Sequence, residues 1–505
     1  MVDGNIFQKY CTAETWKKIV DYPSVSAMWK HCLSAYGDKE AVVDGEEHFS
    51  FNRLENEVAL FRGVLTFSGI TKGDNVGIYC PNSDLFIKAF LAVTTMGCCA
   101  VLLPPQLPDV AVLGCSVKFN LKALVYDKSL EANLETLKTK RPDLTLVDVA
   151  TQGDTKACAL DSDAKTPCAV VFTGGTTGKS KGALLSNGAI MRGVKNGCYG
   201  VHDVFEQRYI QVLPMTHVFG LIRNMLCSLY TGSSLCICRN NKDMFRDIEL
   251  HKPTVMVMVP ALAELALNLS KQFGKNMLGS SMKTIIAGAA VVAPYLVREY
   301  DKLGIKLFPG YGLTESANLV SGNPEPLSKS SSVGFVYPDM EVKIVDGELW
   351  LKGPNMFDCY MNEPEENKNA FEDGWFKTGD LVRFDKEGFL YITGRKKEVI
   401  VLSTGENISP AEIETKFNEL DCVQDSLVYA SEDKGNEVLA VQVLPRLSVL
   451  KANNIEDIGS YVKQKINEVN AKLPSSQRVS KIIIRDQDFV RSPSMKIVRG
   501  KNGEK

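Results

Sequence analysis

The chain has 505 residues, 45% of them hydrophobic and 23% charged, which is enough apolar material for several packed cores and excludes disorder as its main state. Lys+Arg (58) and Asp+Glu (60) nearly cancel to a formal charge of −2, so no bulk electrostatic drive toward nucleic acid exists. The 14 cysteines include no paired CxxC motifs, which argues against structural zinc, and the start MVDGNIFQKY lacks the basic and apolar regions of a secretory signal. A cytoplasmic protein with free thiols is expected.

In chain order, Asn75–Cys80 reads as a buried strand stopped at Pro81, and Ser83–Met96 as a helix with apolar positions at helical spacing. The longest apolar stretch, Ala89–Leu103, is broken by Gly97 and stopped by Pro104. It is too short to span a membrane and predicts a buried helix running into a strand. Short β-rich runs at Ala123–Tyr126, Cys168–Phe172, Tyr209–Leu213 and Val255–Val259 alternate with helical patterns such as Ala261–Leu269. Such alternation predicts an α/β fold of doubly wound, mostly parallel sheets flanked by helices.

From Gly347 onward the pattern changes to short strands and polar turns, expected as a small β-barrel-like part. After Arg395-Lys396-Lys397-Glu398 a small α+β pattern begins, with strands at Val399–Leu402, Asp425–Ala430 and Val438–Pro445 and helices at Pro410–Asn418 and Ile455–Leu473. The expected division is therefore an N-terminal domain over 1–394, a junction at 395–398 and a C-terminal domain over 399–505.

The most informative segment is Thr173-Gly-Gly-Thr-Thr-Gly-Lys-Ser-Lys-Gly182, which follows the apolar run Cys168–Phe172. Its glycines allow close backbone approach, and its hydroxyls, Lys179 and Lys181 suit a polyphosphate. A Walker loop would need glycine where Thr173 stands and would open directly into a helix. Here Gly182–Ser186 reads as a second strand, and the helix starts only at Asn187, so the loop is expected to be a hairpin.

This loop resembles the T-[SG]-G-[ST]-T-G-x-P-K-G signature of the adenylate-forming superfamily, which includes acyl-CoA synthetases, adenylation domains and luciferases; Ser180 stands where proline is usual. Further segments follow in the family's order. Pro214-Met-Thr-His217 resembles its acyl-site histidine segment, Gly288-Ala289-Ala290 its adenine-facing turn, and Tyr311-Gly-Leu-Thr-Glu315 its Y-G-x-T-E motif. Gly374-Trp-Phe-Lys-Thr-Gly-Asp380 resembles the ribose-binding motif, and Gly394-Arg395-Lys396-Lys397 the hinge motif. Ser492-Pro-Ser-Met-Lys496-Ile resembles the C-terminal catalytic-lysine motif, with Met495 where glycine is more usual.

The resemblance implies ATP-dependent activation of a fatty or aryl carboxylic acid to acyl-AMP, followed by transfer to CoA with release of AMP and pyrophosphate. Lys496 would bridge the attacking carboxylate and the α-phosphate, and His217 would orient the substrate carboxylate. Thr173, Gly174, Gly175, Thr176, Thr177, Gly178 and Lys181 would cradle phosphates, with Thr176 and Glu315 at Mg2+. Gly288, Ala289, Ala290, Tyr311, Gly312, Thr314, Asp380, Ile392, Arg395 and Gly405 would complete the nucleotide site. In it Tyr311 would stack on adenine, and the two oxygens of Asp380 would take the ribose hydroxyls. Lys397 would be the pivot about which a mobile C-terminal domain turns between half-reactions.

Phe219, Gly310 and Val320 would line the acid pocket. Arg223 has two readings: facing that pocket it would admit a second carboxylate on the substrate, and otherwise it is an arginine paired elsewhere. Two rival functions remain at this point. One is a stand-alone adenylation enzyme loading an acyl or aminoacyl group onto a carrier-protein phosphopantetheine thiol, with an acyl carrier protein as partner. The other is a non-catalytic nucleotide-binding module, against which Lys181, Glu315, Asp380 and Lys496 argue.

Overall fold

The computed structural model describes residues 6–173, 181–200, 204–401, 407–433, 436–491 and 497–502. Two large sheets organise the N-terminal part. Across the first, among the described residues, the strands run Cys359–Tyr360, Gly182–Ser186, Pro167–Phe172, Cys99–Leu103, Asn75–Tyr79, Ala123–Tyr126 and Thr145–Asp148. From Pro167–Phe172 onward the neighbours are parallel, while Gly182–Ser186 and Cys359–Tyr360 add antiparallel edges. Cys99–Leu103 is buried at every position, as a strand covered on both faces must be. The second sheet has parallel strands at its centre, including Arg208–Gln211, Val255–Met258, Thr284–Ala287 and Lys306–Tyr311.

The helix Asp84–Thr95 is buried from Phe86 to Thr95 and contributes to one core shared with residues of both sheets. The Ser83 hydroxyl caps it by accepting the Phe86 N–H at 3.2 Å. It is followed by Gly97 at φ +74°, after which the chain enters the strand Cys99–Leu103. No helix among the described residues is long and apolar enough to cross a membrane.

A five-stranded antiparallel sheet follows, built on Glu341–Val345, Glu348–Lys352, Trp375–Phe384, Phe371–Glu372 and Leu390–Arg395. Val320, Leu349, Leu351, Val382 and Leu390 form its core. Beyond it, the strands Val423–Asp433, Asn436–Pro445 and Lys481–Ile484 and the helices Pro410–Asn418 and Ile458–Asn470 enclose a separate core of Ile413, Phe417, Val441, Val462 and Ile466.

The expected helix Ile455–Leu473 is shorter than its apolar pattern. It begins at Ile458 because the Asp457 carboxylate accepts the Ser460 N–H at 3.0 Å. A separate helix, Leu447–Ala452, precedes it and is too short to carry a periodic signal.

The two parts meet at Arg446, which is fully buried. Its Nε donates to Glu264 Oε1 at 2.9 Å, its Nη1 donates to the Asp421 carbonyl at 2.8 Å, and the guanidinium lies 3.9 Å from the Tyr295 ring centroid. Nearby, the Ser448 hydroxyl donates to Asn268 Oδ1 at 2.9 Å.

Candidate active site

Strand pairing builds the phosphate end. Pro167–Phe172 runs antiparallel to Gly182–Ser186, and the Thr173 N–H closes the hairpin on the Lys181 carbonyl at 2.8 Å. The helix Asn187–Asn196 starts only after the second strand, capped by Ser186. This topology excludes a Walker loop, whose helix follows the glycines directly. Gly174, Gly175, Thr176, Thr177 and Gly178 lie outside the described residues.

Lys181 Nζ sits 3.0 Å from a Glu366 oxygen and 4.2 Å from the Tyr360 ring centroid. Tyr360 in turn donates its hydroxyl to Glu315 Oε1 at 2.5 Å. Burial, then the Glu315 charge, raises the Tyr360 phenol well above its ordinary value, so it stays a donor. The Lys181 hydrogen bond holds the Glu366 carboxyl below its usual range, and the exposed Lys397 adds a weaker pull of the same sign.

Tyr360 was not among the residues singled out from sequence. Only long-range pairing puts it here, with Tyr360 opposite Ala183 and Cys359 opposite Leu184. No local pattern announces such a pairing.

A second polar group lies around Asp380, which is 1% exposed. Its Oδ2 accepts the Tyr311 hydroxyl at 2.6 Å, and its Oδ1 lies 2.8 Å from Arg395 Nε. Burial works against the Arg395 charge, but Asp380 and, more weakly, Tyr311, Glu398 and Glu315 hold it on. The two oxygens of Asp380 hold Tyr311 and Arg395 in place. A carboxylate has about four lone-pair sites, so a ribose would share this group instead of having it alone. The same bond ties the outer end of the Tyr311 ring. Ile392 is half-buried against the small sheet's core.

Three backbone features shape the space between. Ala289 holds φ +65°, a costly conformation for a residue with a Cβ and a mark of a functional turn. A Cβ at Gly312 would stand 1.5 Å from the Asn318 carbonyl oxygen, so only glycine fits. A Cβ at Gly288 would meet the Gly310 carbonyl at 3.2 Å and the Phe219 ring at 3.4 Å, which brings the expected adenine turn, Gly310 and Phe219 together. Thr314 is buried at the turn that follows, its carbonyl accepting the Ala317 N–H at 3.3 Å. Ala290, beside the half-buried Ala289, is exposed.

His217 precedes a π-helix, Phe219–Leu226, that the sequence did not reveal. Its Nδ1 accepts the Phe219 N–H at 3.2 Å, which fixes the ring proton on Nε2 in the neutral form. Arg223 lies in this helix, 2% exposed. Val320, expected in the acid pocket, belongs instead to the small sheet's core with Leu349 and Leu351, because its N–H donates to the Tyr311 carbonyl and turns the side chain that way.

At the junction, Lys396 pairs with Glu348 at 2.9 Å. The Ser409 hydroxyl donates to the Thr393 carbonyl at 2.5 Å and occupies the place where a Cβ on Gly394 would be. Gly405 and Lys496 lie outside the described residues.

The hairpin, the two polar groups and the two-part architecture define the class. The chain belongs to the AMP-binding enzyme family, matching its main domain over residues 29–361 and its C-terminal domain over 397–505. It is 29% identical to the indoleacetate–CoA ligase of Aromatoleum aromaticum over 81% of this chain and 85% of that one. It is 27% identical to 4-coumarate–CoA ligase-like 6 of Arabidopsis thaliana over 94% and 89%. Its fold matches that of an anthranilate CoA ligase solved with anthranoyl-AMP at a TM-score of 0.83 and 19% identity, covering 95% of this chain and 96% of that one. The o-succinylbenzoate CoA synthetase of Bacillus subtilis, solved with ATP and magnesium, matches at 0.76 and 24%, covering 95% and 99%. The chain is an AMP-forming acid–CoA ligase, which activates a carboxylic acid as its acyl-AMP and passes the acyl group to CoA.

Proposed function

We propose that the residues around the hairpin carry the two half-reactions on a fatty or aryl acid as follows. Lys181 supplies positive charge to the departing phosphates, and Arg395 supplies it to the nucleotide at the junction of the two parts. The observation that supports this most is the pair of linked groups, Lys181–Tyr360–Glu315 and Arg395–Asp380–Tyr311, in which both cations are held by named partners before any anion arrives.

The donor set suits magnesium only with help from the substrate. Among the described residues no three His, Cys, Asp or Glu side chains cluster for a metal. Glu315 offers a carboxylate whose Oε2 takes no hydrogen bond among the described residues, and Tyr360 steadies its Oε1. Mg2+ retains waters and phosphate oxygens in such sites, so one carboxylate with Thr176 is a sufficient protein share. The ion would neutralise charge on the triphosphate.

His217, with its proton on Nε2, donates to the acid's carboxylate and sets the angle of attack. Lys496 then bridges the attacking oxygen and the α-phosphate. For the second step the C-terminal part turns about Lys397 and the segment containing Gly405 replaces Lys496, so that the CoA thiol reaches the acyl carbon. The fourteen cysteines, all free, suit a reducing compartment, and we place the protein in the cytoplasm.

The test is Lys496→Ala. ATP–pyrophosphate exchange with acid should fall by at least about a hundredfold. Supplied acyl-AMP and CoA should still give thioester at near the parent rate. Loss of both half-reactions together in folded protein would contradict these roles.

A further inference from the structure

The Lys181 ammonium has two partners within the chain. A Glu366 oxygen lies 3.0 Å from its Nζ, and the Tyr360 ring lies against it at 4.2 Å from the centroid. Only one of the two is charged. Burial, then Glu315, keeps the Tyr360 phenol neutral, so Tyr360 contributes the face of its ring. Glu366 is ionised: the Lys181 hydrogen bond holds its carboxyl below the usual range, and Lys397 adds a weaker pull. An anion of the chain thus holds the cation to which the proposed reaction assigns the departing phosphates.

The fold places this anion deliberately. Glu366 lies in the first turn of the short helix Pro364–Ala370. The next residue, Asn367, clamps that helix to the strand Cys359–Tyr360: its Oδ1 accepts the Tyr360 N–H at 2.7 Å, and its Nδ2 donates to the Tyr360 carbonyl at 2.8 Å. At the head of the helix Glu363 pairs with Lys118 at 2.5 Å. Because Tyr360 stands opposite Ala183, the pairing that brings its ring to Lys181 brings the Glu366 carboxylate with it.

The two ends of the pair differ in exposure. Glu366 keeps 50% of its side-chain surface in solvent, and Lys181 keeps 22%. A half-exposed carboxylate is rehydrated when it lets go, so such a pair exchanges readily. A polyphosphate offers more charge and more acceptor oxygens than one carboxylate and takes the ammonium from it. The reverse exchange matters equally. When pyrophosphate leaves, Glu366 is in place to receive Lys181, so the cation is not left with the ring alone.

We propose that Glu366 is an internal competitor of the triphosphate, which yields Lys181 as ATP binds and takes it back as pyrophosphate departs. It thereby weakens the hold of the site on both and favours release of the product. This rests on the reading of Lys181 as the cation of the departing phosphates, and it makes Glu366 a positioning residue that acts through Lys181. AMP has neither β- nor γ-phosphate and lies outside the competition.

The experiment uses the full-length enzyme with ATP, magnesium, CoA and a fatty or aryl acid that it turns over. KM for ATP and the inhibition constants of pyrophosphate and AMP are measured for the parent, Glu366→Gln and Glu366→Asp. Glu366→Gln removes the charge and keeps the size. It should lower KM for ATP and the inhibition constant of pyrophosphate by about three- to fivefold each, with AMP and KM for CoA unchanged. Glu366→Asp keeps the charge and should lie nearer the parent. Unchanged or raised values for ATP and pyrophosphate in Glu366→Gln would overturn the proposal, and so would an equal shift for AMP. Lys181→Met separates this inference from the reading beneath it, because KM for ATP should then rise by at least about tenfold. No rise would remove the phosphate role of Lys181 and the competition with it. A rise alongside an unaltered Glu366→Gln would remove the competition alone.

Discussion

Arg446 joins the two parts of the chain with Glu264, the Asp421 carbonyl and the face of Tyr295 around it, whereas Arg223 sits as deeply inside the N-terminal part with no ion pair among the described residues and with Cys227 and Tyr209 as its neighbours. Arg62, a third buried arginine, follows Arg446: it binds Glu55, Thr95 and the Ala157 carbonyl. Where a buried charge holds the architecture, the fold supplies its partners locally.

The largest expected effect tests the compensated member. Glu264→Leu leaves Arg446 buried without its carboxylate and should weaken the junction by about 3–5 kcal/mol. Small-angle scattering and the melting temperature would report it, and an unchanged profile in both would mean that pairing is not what holds Arg446.

The next test takes Arg223, the member without a carboxylate partner among the described residues. Arg223→Met replaces a buried charge that has no carboxylate partner among the described residues by an apolar side chain of similar reach, so the ligand-free protein should gain about 1–4 kcal/mol in stability. A lower melting temperature would assign Arg223 a structural role.

The smallest effect uses the same reasoning on carboxylates. Asp44 and Asp84 share one cation, Arg239, at 2.7 Å from Asp44 and 3.5 Å from Asp84, with Lys88 acting at longer range. Burial, then Asp44, pushes Asp84 up from 3.8 to about 6. An acid raised by folding is stabilising in its protonated form, so that contribution is complete below pH 3.8 and is lost as pH rises through about 6. Asp84→Asn should flatten the dependence of melting temperature on pH across this window. A slope equal to the parent's would assign the effect to other groups.

The alternating α/β order was legible because strands covered on both faces, such as Cys99–Leu103, are continuous apolar runs between turn residues. Lys181, Glu315 and Asp380 were legible because each sits in a contiguous motif. Tyr360 was not, since its place over Lys181 comes from a strand pairing across nearly 180 positions of chain, between Tyr360 and Ala183. Nor was the committed state of the Asp380 carboxylate, which depends on Tyr311 and Arg395 arriving from two separate strands. The sequence could raise both readings of Arg223 but could not choose between them, because what surrounds a side chain is a property of packing.

The wide helix after His217 has a consequence for how such enzymes diversify. A π-turn holds one residue more than an α-turn, and removing a single residue restores the narrower coil. Every side chain beyond the deletion then swings by about 100° around the axis. One codon lost from this segment would turn Arg223 away and bring an apolar neighbour into its place, repacking that core while the ATP machinery stays as it was.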